Sequence, residues 1–373
     1  MKIKEIRVKN LSGRISGSFK LHDDINIITG LNGSGKTTLL KAAWYLISGN
    51  AERIDREVQY EELEVTTDLY SAALARGEQS TQWIFKSPST SQCGEQNHNE
   101  DPNPKSSIED LNRCVINTET SSLFFPTFRR IEGGYSMSPP RRRRRMIPAS
   151  MYFLEEPHPE AIQHELEQIS SRISVNEHNF ICSISTNDIV TLLTRKYAAI
   201  SESLNQEYKE FSTSIINSID IAQRDNDNSG VASKSDATLQ QIQEQVASIN
   251  KRRDDLLKPF TILSELTFKL FRHRGIKVNA VTLGQSVDAI DSGVLSAGEK
   301  QMLSFLCYNA FRDESIVFID EPELSLHPDW QRRLFAVLMN QQPSNQFIVA
   351  THSPFIYTKY EDKEIMLSED KGG

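Results

Sequence analysis

The sequence predicts an α/β fold in which a doubly wound parallel sheet, with an antiparallel subdomain, is interrupted by an inserted helical hairpin. Three continuous apolar runs, at residues 25–29, 315–319 and 346–350, are typical of parallel strands covered on both faces. From about residue 157 to residue 270 the apolar residues instead recur at helical spacings of three and four. Because that stretch separates strands of one sheet, we expect one α/β domain that is split by an insertion.

The bulk composition fits a globular protein without a membrane span. The 373 residues are 38% hydrophobic and 25% charged, and no run of 18 apolar residues occurs. The N-terminus lacks the apolar core of a signal peptide, so we expect a cytoplasmic protein. The four cysteines form no C-x-x-C pair, which favours free thiols over zinc or redox chemistry. A net charge of -8 argues against a generally basic, DNA-coating protein.

A glycine-rich loop follows the first apolar run. Residues 30–37 (GLNGSGKT) match the pattern G-x-x-x-x-G-K-[ST], and a helix-forming stretch follows at residues 38–46. Backbone N–H groups of such a loop, with the positive end of the next helix, surround phosphate oxygens. The lysine is expected to reach the β- and γ-phosphates, and Thr37 to coordinate Mg²⁺. The predicted phosphate site consists of Asn32, Gly33, Ser34, Gly35, Lys36, Thr37 and Thr38.

The second apolar run leads into two acidic residues, Asp320 and Glu321. The carboxyl end of a parallel strand is the edge of the sheet where ligands bind. We expect Thr37 and Asp320 to hold Mg²⁺, Asp320 through a water molecule, and Glu321 to orient and polarise an attacking water. A helix cap is the alternative for such a pair, but the phosphate loop favours the metal-binding interpretation.

Residues 295–301 (LSAGEKQ) form the start of another predicted helix. Ser296 and Glu299 fit a capping box, and a serine beside Gly298 at a helix start can also bind an anion. The segment lies 24 residues before Asp320 and so belongs to the strand–helix unit of that strand, which is separate from the unit of the phosphate loop. In that position it cannot easily face the phosphate loop of its own chain. It therefore predicts a second phosphate contact, made to the site of a partner copy.

Together these features resemble the ABC ATPase family: the phosphate loop, the LSAGEKQ segment, the acidic strand end, and THSP at residues 351–354. The resemblance implies an ABC-type P-loop ATPase head that uses ATP and Mg²⁺. In that family the signature serine, here Ser296, contacts the γ-phosphate held by the other subunit. His352 matches the switch histidine near the γ-phosphate. The implied catalytic residues are Lys36, Glu321 and His352.

Two further segments narrow this resemblance. Residues 321–331 (EPELSLHPDWQ) are similar to soluble ATPases grouped with the overcoming-lysogenization-defect nucleases and DNA-repair ATPases, the AAA15–AAA21 group. Residues 125–132 (FPTFRRIE) resemble anti-phage defence ATPases such as those of PARIS and retron-associated Septu systems. This implies a sensor and scaffold that pairs with itself as a head-to-tail dimer or higher homo-oligomer. It would hold a separate effector, a nuclease, and respond to a phage-encoded trigger.

Two features depart from these families. The glutamine that normally follows the phosphate-loop helix and senses Mg²⁺ has only Gln59 and Gln82 as candidates. The sequence ends soon after His352, whereas overcoming-lysogenization-type proteins continue into a Toprim nuclease, so the expected nuclease is another polypeptide. His327 has no partner ligands nearby in the sequence, and we interpret it as structural.

The predicted boundaries give an ATPase head made of residues 1–150 and 276–373. Residues 151–275 form a helical, coiled-coil insertion, with ordinary core helices as the alternative. The polar stretch from Cys93 to Asn112 is expected to be an exposed loop.

Five consecutive arginines, Arg141 to Arg145, have three interpretations. They fit a solvated loop, a contact to DNA or RNA phosphates that salt would weaken, or a contact to an acidic protein partner. Two rival functions stay open: a DNA-repair ATPase that binds ends or junctions directly, and an ATP-locked assembly scaffold with little turnover. A transporter ATPase would need a permease that docks this chain.

Overall fold

The computed structural model describes residues 1–97, 107–127, 130–131, 166, 168–184, 186–225, 231–271 and 295–368. Its strands are β1 (Ile3–Leu11), β2 (Ile15–Lys20), β3 (Ile25–Thr29), β4 (Glu62–Thr67), β5 (Ser71–Arg76), β6 (Ser80–Lys86), β7 (Ser91–Asn97), β8 (Ser122–Phe125), β9 (Arg130–Ile131), β10 (His178–Phe180), β11 (Ser183–Ile184), β12 (Ile316–Asp320), β13 (Gln346–Ala350) and β14 (Glu364–Met366). Its helices are α1 (Lys36–Ile47), α2 (Ala51–Glu57), α3 (Ile108–Ile116), α4 (Thr186–Asp225), α5 (Val231–Phe271), α6 (Ala297–Ala310), α7 (Pro328–Gln341) and α8 (Pro354–Tyr357), with a 3₁₀ turn at Glu361–Lys363.

The central sheet of the described residues is parallel, in the order β10-β8-β12-β13-β3-β14. The three apolar runs of the sequence form β3, β12 and β13, and every residue of these strands is buried. Helices cover both faces of this sheet. Adjacent residues of β8 point to opposite faces, and each packs against a different helix. Phe124 packs against Trp44 of α1, and Phe125 packs edge-on against Phe305 of α6. The predicted doubly wound α/β sheet is confirmed.

A second, antiparallel sheet has the order β2-β1-β4-β5-β6-β7. Its alternating inward residues, such as Ile6, Leu63 and Trp83, join one hydrophobic core with Trp44 and Phe318. Helix α1 therefore lies between the two sheets in contact with both, and the predicted antiparallel subdomain is present. This packing fixes the start of α1, where the phosphate loop ends.

The prediction of an exposed loop from Cys93 to Asn112 is wrong at both ends. Residues 91–97 pair with β6 as an edge strand, although their side chains are polar. Helix α3 starts at a capping box formed by Ser107 and Asp110. It buries the apolar stripe of Ile108, Leu111 and Val115. A single short stripe flanked by polar residues is a weak sequence signal, so the pattern indicated a loop.

The chain divides into two compact units, Met1–Ser185 with Gly293–Gly373, and Thr186–Ser292. In the second unit α4 and α5 are antiparallel. Tyr197 packs edge-on against Phe260, with the ring centroids 6.0 Å apart. Further along the two helices, Arg252 Nε lies 3.7 Å from Glu207 Oε1. The inserted helical hairpin is therefore confirmed.

The insertion begins later than residue 151, where the sequence put it. Strand β10 belongs to the parallel sheet and β11 pairs with β9, so residues 178–184 are part of the first unit. Short strands inside a helical pattern are too brief to change its period. None of the described helices is long and apolar enough to cross a membrane.

Candidate functional site

The phosphate loop, residues 30–37, connects the end of β3 to the start of α1. Gly30, Gly33 and Gly35 have φ of 145°, 78° and 95°, which side chains disfavour. A Cβ on Gly35 would also lie 2.6 Å from Ile15 Cδ1. The loop can therefore turn tightly into α1 and bring its backbone close to a bound anion. Asn32 is exposed, and Ser34 and Thr38 are half-buried in the same turn.

Lys36 lies in the middle of this site and is only 5% exposed. Its ammonium group donates to the carbonyl oxygens of Gly30 at 2.9 Å and Leu31 at 3.2 Å, and lies 2.6 Å from His352 Nε2. Burial lowers the pKa of Lys36, while the nearby acidic residues, Glu321 first among them, oppose that shift. A bound phosphate group would pair its negative charge with this buried ammonium group in a strong, charge-assisted hydrogen bond.

Thr37 and Asp320 form the part of the site that can hold a cation. Thr37 Oγ1 donates to Asp320 Oδ2 at 2.8 Å, and the Asp320 side chain is buried at the end of β12. Thr127, which follows β8, also donates its hydroxyl to Asp320 Oδ2. Mg²⁺ prefers oxygen ligands, and adjacent ligands of an octahedral ion are about 3 Å apart. This set of oxygen donors at that spacing fits Mg²⁺.

Glu321 follows directly and is held in an unusual backbone conformation with φ of 50°. Its N–H donates to the Ala350 carbonyl at 2.8 Å, and its Oε1 lies 3.3 Å from His352 Nε2. Burial raises the pKa of Glu321 to about 8, and a hydrogen bond and charge from Glu323 add to the shift. Such a carboxylate is a stronger proton acceptor than an ordinary glutamate, which suits a general base.

His352 links the lysine to the acidic residues. Burial lowers the pKa of His352, and the charge of Lys36 lowers it further, which favours the neutral form of the ring. Because Lys36 donates to Nε2, we assign the ring proton to Nδ1. The neutral assignment means that the 3.3 Å contact to Glu321 is not an ion pair. The His352 backbone N–H donates to Glu323 Oε1 at 2.7 Å, which fixes the histidine beside the acidic loop.

The LSAGEKQ segment forms the first turn of α6. Ser296 is an exposed N-cap, and the carboxylate of Glu299 accepts hydrogen bonds from its N–H at 2.7 Å and its Oγ at 2.6 Å. Glu299 is thus occupied as a cap and is only 6% exposed. Among the described residues, no hydrogen bond joins Ser296 to the phosphate loop of the same chain.

Helix α6 is instead fixed against the acidic loop that follows β12. A Cβ on Gly298 would lie 2.3 Å from the Ser325 carbonyl oxygen, so only glycine fits there. Gln301 Nε2 donates to the Pro322 carbonyl at 3.0 Å. These contacts hold the exposed serine in a fixed relation to Glu321.

Neither candidate for the magnesium-sensing glutamine reaches this site. Gln59 is exposed after α2, and Gln82 is exposed on β6. Within the described part of the chain, no hydrogen bond joins either side chain to Thr37 or Asp320.

Sequence reasoning missed two residues that contact the acidic pair, Thr127 and Glu323. A polar residue just after a buried apolar strand was the available signal for Thr127. For Glu323 it was a third carboxylate within the acidic loop.

Two other predicted features lie outside this cluster. His327 is the N-cap of α7, where its ring accepts a weak hydrogen bond from the Asp329 N–H, as its structural interpretation requires. The described part of the chain contains no group of three His, Cys, Asp or Glu side chains that could hold a metal. The five arginines, Arg141 to Arg145, lie outside the described residues.

Comparison with known families finds that the AAA ATPase domain model, AAA_15, matches residues 1–357. Among characterised sequences, the Retron Vc95 probable ATPase of Vibrio cholerae is 34% identical over 86 residues, which cover 20% of this chain and 17% of that protein. The Retron Ec83 probable ATPase of Escherichia coli is 34% identical over 86 residues, covering 16% of its length. These alignments thus span about a sixth of either relative.

Among solved structures, an Smc head domain with an extended coiled coil, bound to the C-terminal domain of ScpA and derived from Pyrococcus furiosus, superimposes with a TM-score of 0.39. It is 13% identical, and the match covers 96% of this chain and 91% of that one.

Proposed function

Because this chain belongs to the AAA ATPase domain family, we propose that it binds and hydrolyses ATP in a Mg²⁺-dependent site completed by a second copy. The observation that carries this proposal is the convergence of Lys36, Thr37, Asp320, Glu321 and His352 at one edge of the parallel sheet. These residues come from three separate strand ends. The groups that would bind phosphate, bind the metal and accept a proton therefore lie within hydrogen-bond distance of one another.

The phosphate loop and Lys36 bind and orient the triphosphate. The ammonium group, held by the carbonyls of Gly30 and Leu31, provides fixed positive charge for the β- and γ-phosphates. Thr37 and Asp320 hold Mg²⁺, which when bound neutralises charge on the phosphate oxygens. Because these donors are fixed before ATP binds, little rearrangement is needed to stabilise the transferring phosphoryl group.

Glu321 accepts the proton of the attacking water. Its raised pKa strengthens it as a base, and its strained backbone, bonded to Ala350, fixes the direction of its carboxylate. His352 is neutral and can donate or accept one hydrogen bond at the γ-phosphate without adding charge. The hydrogen bond from its backbone N–H to Glu323 holds the histidine beside Glu321.

The second copy supplies Ser296. This serine is exposed at the start of a 14-residue helix and has no hydrogen bond to its own phosphate loop within the described residues. In a two-fold pair, Ser296 of the partner subunit would contact the γ-phosphate held by Lys36, and the reverse contact would follow by symmetry. ATP would therefore hold two heads together, as the ABC resemblance implies.

We extend the proposal to bacterial anti-phage defence, as part of a system like PARIS or Septu. The names of two relatives, both retron-associated probable ATPases, support this role. Closure of two heads around ATP would change how the helical hairpins are held, and so retain or release a separate effector. A nuclease is the effector that the resemblance to defence ATPases favours, and a phage component is the expected trigger.

One observation favours a second candidate, an ATP-locked scaffold with little turnover. With a pKa of about 8, Glu321 is mainly protonated at neutral pH and cannot then accept a proton. Bound Mg²⁺ and phosphate change the charges around this residue, so the rate of phosphate release decides between the two candidates.

The test compares wild type, Glu321→Gln and the exposed control Glu361→Gln, each co-expressed with the products of its neighbouring genes. Phosphate release and assembly mass are measured with and without Mg-ATP. We expect wild type and Glu361→Gln to release phosphate, Glu321→Gln to stay assembled without release, and all three to retain a nuclease-like partner. ATP-dependent assembly of wild type without phosphate release would favour the scaffold. Wild type that neither releases phosphate nor changes its assembly mass with Mg-ATP would refute the proposal.

A further inference from the structure

We infer that Thr127 contributes its hydroxyl oxygen as a direct ligand to the Mg²⁺ site of Thr37 and Asp320. It would thus fill the role that neither Gln59 nor Gln82 is positioned to fill. The inference rests on the ATP site proposed above and specifies one more of its residues. It concerns the cation alone and leaves the binding of the phosphates to the loop.

The strand register brings Thr127 to the cation site. Strands β8 and β12 run parallel, and Phe125 is level with Ile319. Thr127, two residues later, leaves the sheet at the same edge as Asp320 and Glu321. Its hydroxyl donates to Asp320 Oδ2, so a residue from a strand remote in sequence contacts the predicted metal ligand.

Thr37 and Thr127 share a single oxygen of Asp320. Thr37 Oγ1 is 2.8 Å from Oδ2, close to the separation of about 3 Å between neighbouring ligands of Mg²⁺. A hydroxyl that contacts the same oxygen from another strand is therefore within reach of an ion bound there. The three oxygens would then form part of one octahedral ligand set.

A purely structural role for Thr127 is the alternative, since buried carboxylates are normally hydrogen-bonded. However, Asp320 Oδ2 already accepts a hydrogen bond from Thr37. A second donor on the same oxygen is not required to satisfy it. Thr127 is also only half-buried, at the edge of the sheet where parallel α/β folds bind ligands. Loss of the hydroxyl weakens cation binding in either role, because partners of a metal ligand also set its affinity. Direct ligation is distinguished by the metal preference of a cysteine at this position.

The experiment measures a fluorescent ATP analogue on the full chain, first in EDTA and then as Mg²⁺ is titrated in. The variants are Thr127→Val, which keeps the shape but removes the oxygen, and Thr127→Ser, which keeps the oxygen. Thr120→Val is the matched control. It removes the hydroxyl of a buried threonine just before β8, which contacts His178 and not Asp320.

We expect Thr127→Val to raise the Mg²⁺ concentration at half-saturation by roughly ten-fold or more. Its affinity for the analogue in EDTA should be unchanged, and Thr127→Ser and Thr120→Val should titrate like wild type. An unchanged Mg²⁺ midpoint in Thr127→Val would overturn the inference and leave the threonine a structural role. If wild type binds no nucleotide under either condition, the proposed function fails instead.

Thr127→Cys provides a test that does not depend on loss of binding. A thiolate ligand prefers the softer Cd²⁺ over Mg²⁺. We expect the ratio of the Mg²⁺ midpoint to the Cd²⁺ midpoint to increase by roughly ten-fold relative to wild type. The ratio should stay constant in Thr120→Cys. An unchanged ratio in Thr127→Cys would contradict direct ligation even if Thr127→Val proved unstable.

Discussion

Replacing Glu323 by glutamine removes one negative charge beside Glu321 but keeps an oxygen in the same place. That oxygen matters, because Glu323 Oε1 accepts the His352 backbone N–H at 2.7 Å and so positions the histidine. A glutamine carbonyl can accept the same hydrogen bond. The substitution therefore separates the electrostatic effect of Glu323 on the base from its positioning effect on His352.

The size of the effect follows from the pKa of Glu321, which rises from an ordinary 4.5 to about 8. Burial is the largest cause and persists in Glu323→Gln, whereas the contribution of the second carboxylate is lost. We expect the pKa of Glu321 to fall by roughly one unit. The base acts when deprotonated, so activity decreases as the pH falls through this pKa. A pKa one unit lower raises the ratio of ionised to protonated Glu321 about ten-fold at a given pH. Activity therefore extends to lower pH.

The assay is kcat/KM for ATP as a function of pH, which reports groups of the free enzyme. Wild type should lose activity below about pH 8, by ten-fold per unit. In Glu323→Gln this acidic decline of kcat/KM should begin roughly one pH unit lower, and the activities of the two proteins should converge above pH 9. The exposed control Glu361→Gln should follow wild type. An equal loss of activity at every pH, with the acidic decline unmoved, would show that Glu323 only positions His352 and would refute the electrostatic reasoning.

Two substitutions test the other parts of the site. Glu321→Gln should reduce phosphate release by at least about 100-fold while leaving ATP affinity within about two-fold, because the amide cannot accept the proton; single-turnover hydrolysis and equilibrium ATP binding check this, and near-normal hydrolysis would remove Glu321 as the base. Gly298→Ala should lower the free energy of unfolding by about 1–3 kcal/mol, because the new Cβ would lie 2.3 Å from the Ser325 carbonyl oxygen. Urea unfolding measures the loss, with Ala297→Ser at the neighbouring half-buried position as control, and an unchanged midpoint would show that α6 moves freely from the acidic loop.

The structural elements that the sequence predicted well are those encoded within one short segment. The phosphate loop and the strands β3, β12 and β13 each combine a continuous apolar run with a local motif, so no distant contact is needed to recognise them. The helical hairpin was likewise predictable, because its spacing persists over many turns. Its start was misplaced, because β10 and β11 are too short to interrupt that pattern.

The residues that were missed depend on which strands are neighbours. Thr127 meets Asp320 only because β8 lies beside β12 in the sheet, although almost 200 residues separate them in the sequence. The interaction of Glu323 with Glu321 depends on the loop conformation, including the positive φ of Glu321. Helix α3 was missed for a different reason, since its apolar stripe is shorter than a reliable period.

The central claim is that Ser296 completes the ATP site of another copy, and cysteine cross-linking tests it directly. One chain carries Ser296→Cys and a second, of different size, carries Asn32→Cys in the exposed phosphate loop. Both carry Glu321→Gln to retain ATP, and their native cysteines are replaced by serine. We predict that a short bismaleimide joins the two chains only with Mg-ATP, while either chain alone forms no cross-link. The contrary result would be no joining of the two chains, together with a cross-link inside one chain that carries both cysteines.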